Sequence, residues 1–464
     1  MTKTASNTHY FIVSSHKLID QTSTYHFFLL FIILGFTACT SHEESKTPNV
    51  ILIMADDMGY ECLSTYGSQS YHTPVLDSLA AQGIRFDQAV SQPLCTPSRV
   101  KIMTGLYNYR NYDYFGHLQN EAYTFGNLMK EAGYATCIAG KWQLNGLAYK
   151  EEIPHWNDAG RPHQFGFDEY CLWQLTKTRG EGERYADPLI EQNGRVLENL
   201  EDSYGPDIFA DFILDFIERK QDSSFFIYYP MVLVHDPFVP TPDSEDWMDK
   251  SMRYQNDTAY FKDMVAYTDK IVGKIARQLR ELELDENTIF IFTGDNGTHP
   301  TIYSQTDERI IQGGKGNTID AGTHVPLIAY WPDKIKRGIV YEGLIEFSDF
   351  FPTLADVVRK EVNTDGKSFY PLLSGENPEA RNTAFVHYDP RWGKNVNQHR
   401  NRFVRTLDYK LYQDGHFYQL SEDIQEQNAL TETTLSEDEK EVKSMLEEAL
   451  NKHPAWNSQA AENK

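Results

Sequence analysis

Two apolar runs of the same design constrain this 464-residue chain more than any other feature in it. Residues 49–55 read Asn-Val-Ile-Leu-Ile-Met-Ala and break abruptly into Asp56-Asp57-Met58-Gly59. Residues 288–293 read Thr-Ile-Phe-Ile-Phe-Thr and break into Gly294-Asp295-Asn296-Gly297. An uninterrupted apolar run of this length marks a strand covered on both faces, as in a parallel sheet packed between helices. Carboxylates at the end of such a strand are costly unless they are paired or hold a cation. In open α/β sheets, the carboxyl edge of the strands is also where ligands bind.

The same alternation continues along the chain. Thr73-Pro74 opens a helix over 75–82, which Gly83 closes. Residues 134–139 form a strand ending in Gly140-Lys141-Trp142-Gln143. Pro206-Asp207 starts an amphipathic helix over 208–219, residues 225–229 form a strand leading to His235-Asp236-Pro237-Phe238, and 258–282 reads as a long helix. A fifth strand is expected at 326–331. Strands alternating with helices predict an α/β fold, a doubly wound and mainly parallel sheet flanked by helices. Residues 146–205 are irregular and rich in charges and aromatics, as expected of loops and short helices that form a substrate wall. After about residue 362 the pattern changes. Residues 403–406 and 409–412 alternate around turn residues like a hairpin, and a charged helix follows at 436–452. The expected organisation is a catalytic domain over 47–361 and a smaller C-terminal α+β subdomain over 362–464.

Between these elements lies Leu94-Cys95-Thr96-Pro97-Ser98-Arg99, followed by Thr104-Gly105. Thr96 suits a helix cap, Pro97 a first turn and Gly105 a helix end. Cys95 is thereby expected at a helix N-terminus, where free N–H groups and the macrodipole favour an anion. Asp56, Asp57, Asp295 and Asn296 are hard oxygen donors without a His or thiolate among them, a set that suits Ca²⁺, with Mg²⁺ second, rather than Zn²⁺.

Cys95-Thr96-Pro97-Ser98-Arg99 with the following Thr-Gly resembles the signature of the type I sulfatases, of the alkaline phosphatase superfamily. The resemblance extends over residues 48–360 through five motifs in order. It implies that Cys95 is oxidised to formylglycine, whose hydrated aldehyde is the nucleophile, with a maturation enzyme as partner. It also implies that Asp56, Asp57, Asp295 and Asn296 bind a divalent cation together with the formylglycine. Arg99 would hydrogen-bond the formylglycine. Lys141, in Gly140-Lys141-Trp142-Gln143-Leu144, would contact the sulfate, as would Lys315 in the glycine-flanked Gly313-Gly314-Lys315-Gly316. His235 would protonate the leaving alcohol.

The chain departs from the family at Gln143, where the family has a His that contacts the formylglycine and serves as the base releasing sulfate. Gln can orient a hydroxyl but cannot take its proton at neutral pH. His299 and His117 are the candidates to replace it. In Asp320-Ala321-Gly322-Thr323-His324, Thr323-His324 stands where Ile-Arg is common, so His324 is either a substrate contact or a structural replacement.

The net charge of −24 argues against nucleic acid and against anionic membrane surfaces, so a sulfated substrate must be held by local cations. Aromatics make up 13% of the residues, enough to supply a saccharide cleft as well as a core. Residues 26–36 form a short apolar run suited to a signal peptide, and Thr37-Ala38-Cys39 resembles a lipoprotein processing site with Cys39 as the lipidated residue. Residues 1–39 are thus expected to be a leader. The protein is expected in a bacterial envelope, as a lipid-anchored periplasmic or outer-membrane protein, or secreted. Four cysteines remain after Cys39, which is no disulfide framework.

These readings converge on hydrolysis of sulfate esters of an oligosaccharide or polysaccharide. The alternatives are a phosphatase or phosphonate monoester hydrolase of the same superfamily, and a non-catalytic binder of sulfated glycans.

Overall fold

The computed structural model describes residues 47–178, 183–391 and 400–455. The leader and Cys39 lie outside the described residues. No described helix is long and apolar enough to cross a membrane.

The central sheet takes its strands from residues 49–346. They are β1 (Asn49–Ala55), β2 (Ile84–Val90), β3 (Ala135–Lys141), β4 (Glu169–Trp173), β5 (Ile190–Gln192), β6 (Arg195–Val196), β7 (Phe225–Pro230) and β8 (Thr288–Gly294). After a small hairpin, β9 (Tyr303–Gln305) and β10 (Ile310–Gln312), the sheet is completed by β11 (His324–Tyr330) and β12 (Ile339–Glu346). Their spatial order is β12-β2-β11-β8-β1-β7-β3-β4-β5-β6. β1 lies between β7 and β8 and is parallel to both.

Side-chain alternation along β1 shows why the sheet must be covered twice. Ile51, Ile53 and Ala55 face one core, which is closed by α1 (Pro74–Gln82), α4 (Gly205–Lys220) and α5 (Phe261–Glu281) through Leu76, Phe209, Ile213, Met264 and Ile275. Val50, Leu52 and Met54 face the other, which is closed by α2 (Cys95–Thr104), α3 (Phe125–Glu131) and α6 (Phe350–Val357) through Val100, Met103, Phe125 and Leu354. Every β1 side chain is buried, so the two-step period of a strand feeds two cores at once.

Several elements differ from the sequence expectation. The fifth expected strand, β11, is antiparallel to both neighbours, β8 and β2. Its N-terminal end therefore lies at the carboxyl edge of the parallel strands. β2 and β12 were not anticipated: their polar and half-buried positions hide them among loop residues. The segment expected to be irregular contributes β4, which pairs parallel with β3. The long helix starts at Phe261, after a 3₁₀ turn over Thr258–Tyr260.

The C-terminal sheet runs β13 (Ala384–Tyr388), β14 (Asn401–Arg405), β15 (Tyr409–Tyr412) and β16 (Phe417–Gln419), antiparallel throughout, with α7 (Glu437–Asn451) beside it. The expected hairpin is β14–β15. Val90, Leu94 and Leu344 share one apolar cluster with Val386, Tyr388 and Phe403 of the C-terminal sheet. This shared core carries the end of β13 towards the carboxyl edge of the large sheet.

Candidate active site

The site assembles at that edge. β1 delivers Asp56 and Asp57, β8 delivers Asp295 and Asn296, and β3 ends on Lys141. The Asp56 N–H donates to the Leu233 carbonyl (2.7 Å), and the Val234 N–H donates back to the Asp56 carbonyl (2.7 Å), which ties the His235 loop to β1. Lys141 reaches the edge because Gly140 precedes it: with φ +112°, a Cβ there would lie 2.1 Å from the Pro230 carbonyl oxygen. Gly313 and Gly314 likewise let the Lys315 loop lie directly on the backbone of Thr298 and Ala321.

Cys95 opens α2, as expected, but its cap is Leu94. Thr96 lies inside the first turn, where its hydroxyl accepts from the Gly116 N–H (3.1 Å). Gly105 ends the helix at φ +67°, the left-handed conformation that glycine adopts freely. All ten residues of this helix are buried.

The acidic residues interlock. The Asp57 N–H donates to Asp295 Oδ1 (2.9 Å), and Asn296 Nδ2 donates to Asp57 Oδ1 (2.9 Å). Lys141 Nζ donates to both oxygens of Asp56 (2.9 and 2.8 Å). Arg99 Nη2 donates to Asp295 Oδ2 (2.9 Å) and lies 3.5 Å from Asp56. Lys315 Nζ pairs with Asp57 Oδ2 at 2.5 Å and lies 3.0 Å from His235 Nε2. Ligand atoms of Asp56, Cys95 and Asp295 fall within 4.8 Å of one another, as do those of Asp56, Asp57 and His235.

A hard cation fits this set. Asn296 Oδ1 is buried and has no hydrogen-bond partner among the described residues, although its Nδ2 is fully used. Asp295 is pushed up to about 7 by burial and by the neighbouring Asp56 carboxylate, with Arg99 only partly offsetting them. Burial works in the same direction on Asp56, but Lys141, His235 and Arg99 outweigh it and hold that carboxyl well below the usual range. A site with one carboxylate forced towards its neutral form and one orphaned amide oxygen has unused capacity for positive charge.

Cys95 is 3% exposed, and burial raises its thiol although Lys141 opposes the effect. The unmodified side chain is therefore a poor thiolate nucleophile. Burial also lowers His235, against the pull of Asp57. Asp57 and its neighbours keep Lys315 raised despite its burial.

Above these groups is a cavity of about 660 Å³, lined by Cys95, Gln143, His235, His299 and Lys315. Phe115, Tyr388 and Pro390 form its apolar side. Gln143 sits at φ +50° with its Oε1 buried and unpartnered. His299 lines the cavity, and its Nδ1 is engaged by the Thr301 hydroxyl (2.8 Å). His117 is not among the lining residues, and its nitrogens face Asp113 (2.9 Å) and His155 (3.1 Å). His324 is away from this cavity. It contacts Asp320 (3.1 Å) and the Asp87 carbonyl (2.8 Å), stacks on Tyr60 and lines a separate cavity. The structural alternative at His324 is thus the one its contacts describe.

Sequence reasoning missed Arg184 and Asp236, which also line the active cavity. Arg184 lies in the irregular stretch, where spacing does not distinguish it from its charged neighbours. Asp236 is visible beside His235, but its role as a partner of the imidazole (Oδ1 to Nδ1, 3.0 Å) depends on the loop conformation.

Buried carboxylates, an apical cysteine and convergent lysines at the carboxyl edge of a doubly wound sheet define a hydrolase that acts on oxyanion esters. Residues 48–359 match the sulfatase family model, and 315–455 match the model described as N-sulphoglucosamine sulphohydrolase, C-terminal. The chain is 32% identical to human arylsulfatase A over 404 residues, spanning 79% of this chain and 75% of that one. It is 29% identical to the dog N-acetylgalactosamine-6-sulfatase over 425 residues, spanning 83% and 77%. A solved complex of a protein with its substrate D-glucosamine-2-N,6-O-disulfate shares the fold, with a TM-score of 0.68 and 23% identity over 88% of this chain and 98% of that one. The chain belongs to the sulfatase family of the alkaline phosphatase superfamily and is a sulfuric ester hydrolase.

Proposed function

We propose that the protein hydrolyses sulfate esters of a saccharide, using formylglycine made from Cys95 and a Ca²⁺ ion held by Asp56, Asp57, Asp295 and Asn296. The observation that carries this reading is the unpartnered Asn296 Oδ1 among three buried carboxylates at the foot of the cavity that Cys95 lines. When present, the two groups supply an aldehyde-derived oxygen nucleophile and the Lewis acid that activates it.

The residues of the chain do the rest. Arg99 holds Asp295 in place and contributes positive charge beside Cys95. Lys141 and Lys315 present ammonium groups to the sulfuryl oxygens, in a buried setting where each donor is worth about 10²–10³ in rate. His235 Nδ1 lies 2.6 Å from the Asp236 carbonyl, which can only accept, so the imidazole carries its proton on Nδ1 and turns Nε2 to Lys315. The Lys315–His235 pair, rather than either residue alone, delivers a proton to the leaving sugar oxygen. Gln143 orients a hydroxyl at Cys95 without accepting its proton. His299 faces the same cavity and is the group available to do so.

Half-buried Phe115 offers an apolar face for a sugar ring, and the buried Tyr388 backs the wall beside it. Because α2 is wholly buried, the maturation enzyme must reach Cys95 before the fold closes. The expected leader and Cys39 support a location in the bacterial envelope or secretion, which cell fractionation would test.

The test is sulfate release from a panel of sulfated oligosaccharides, with Cys95 conversion checked by mass and Cys95→Ser as control. Release that disappears in the control is expected. No release from fully converted protein, or faster cleavage of phosphate esters, would overturn the reading.

A further inference from the structure

We propose that Arg184 is a substrate-contacting residue of this site, donating from its guanidinium to a sulfuryl oxygen and supplying the cation that Gln143 cannot. The inference rests on the proposed sulfatase site but not on the identity of the nucleophile.

Arg184 lines the same cavity as Cys95, Gln143, His235 and Lys315. Its guanidinium carbon lies 4.1 Å from the Trp173 ring centroid, a cation–π contact that holds the group against the indole. Trp173 pairs with Lys141 across β4 and β3, which puts Arg184 over the same corner of the sheet edge as Lys141. The side chain is only 13% exposed. Among the described residues its Nη1 is buried without a hydrogen-bond partner, and Asp56 Oδ2 is 3.8 Å away. Both oxygens of Asp56 are drawn to Lys141, at 2.9 and 2.8 Å, on the other side of that gap.

A buried guanidinium with an idle N–H is an unfavourable arrangement unless an anion completes it. The anion this cavity admits is the sulfuryl group. During S–O cleavage its non-bridging oxygens carry the charge, and a planar fork of donors suits them better than the neutral amide of Gln143.

The probe is inorganic sulfate, titrated calorimetrically with Ca²⁺ present into the Cys95→Ser protein and into Cys95→Ser carrying Arg184→Met or Arg184→Lys, with metal content measured in each. Sulfate affinity is expected to fall tenfold or more with Arg184→Met and to be partly retained with Arg184→Lys, at unchanged metal content. In the Cys95 protein, Arg184→Met should lower kcat/KM for a sulfated saccharide about 100-fold. Equal sulfate affinity in the Arg and Met forms overturns the proposal. So does a loss that follows loss of metal, which would make Arg184 a support for Asp56. Retained turnover in Cys95→Ser would instead overturn the nucleophile reading and leave the sulfate titration to decide on Arg184.

Discussion

Lys315 Nζ stands 3.0 Å from His235 Nε2, and both side chains neighbour the same carboxylate oxygen, Asp57 Oδ2, at 2.5 and 3.7 Å. The lysine reaches this point from the loop before β11 and the histidine from the loop after β7, so the pair exists only in the folded sheet. Burial lowers His235 and the adjacent Lys315 ammonium adds to that lowering, so the two groups act on each other electrostatically. A pair that protonates a leaving group matters most when the leaving group is a poor one. His235→Gln is therefore expected to lower kcat on a sulfated sugar by about 10²–10³ and on 4-nitrophenyl sulfate by less than about tenfold. Comparing the two substrates checks this; equal losses would remove the acid role from the pair.

Asp295 bears on metal binding. Its carboxyl is pushed up to about 7 by burial and by Asp56, so at lower pH a proton must leave before a cation can be held there. The sign follows directly: Ca²⁺ affinity falls as pH drops below about 7, by up to about tenfold per unit. Isothermal titration in buffers of different ionisation enthalpy should show proton release at pH 6 and little at pH 8.5. Asp295→Asn should abolish that release.

Glu346, at the end of β12, anchors α2, the helix that Cys95 opens. Lys101 Nζ on α2 donates to Glu346 Oε2 (3.3 Å) and to the Phe385 carbonyl (3.1 Å), while Arg381 lies 3.0 Å from Glu346 Oε1. Burial alone would raise Glu346, but Arg381 and Lys101 hold it down to about 2. A depressed carboxyl contributes stability above its unfolded value of 4.5, and that stability is lost as pH falls through about 2. Removing the charge leaves the buried Lys101 without its carboxylate partner, while Arg381 keeps Asp349. Glu346→Gln is expected to destabilise the fold by about 3–5 kcal/mol, read from urea unfolding at pH 7.

Gln143 offers the complementary experiment. Its Oε1 is buried and unpartnered at the wall of the active cavity. Gln143→Ala should lower kcat about tenfold or more through loss of orientation. Gln143→His should add an ionisation to the kcat–pH profile within about a unit of the ordinary imidazole value. An unchanged profile would show that position 143 does not take part in proton transfer.

The sequence by itself determined the strands that form the floor of the site and the oxygen donors at their ends. A strand buried on both faces must be apolar throughout, so β1 and β8 stand out, and the polar residues that terminate them stand out with them. The motif around Cys95 and the glycines before Lys141 and Lys315 were legible for the same local reason: backbone conformation and close approach restrict which residues are allowed. The C-terminal hairpin and α7 were legible from turn residues and periodicity. Tertiary structure alone decided the direction of β11, the inclusion of β2 and β12, and the shared core that brings Tyr388 to the cavity. It also decided that His117 and His324 are occupied elsewhere while Arg184 and Asp236 line the cavity. Those outcomes depend on contacts between residues tens to hundreds of positions apart, and no local rule of propensity or spacing encodes which charged side chain of a loop will find an unpartnered neighbour.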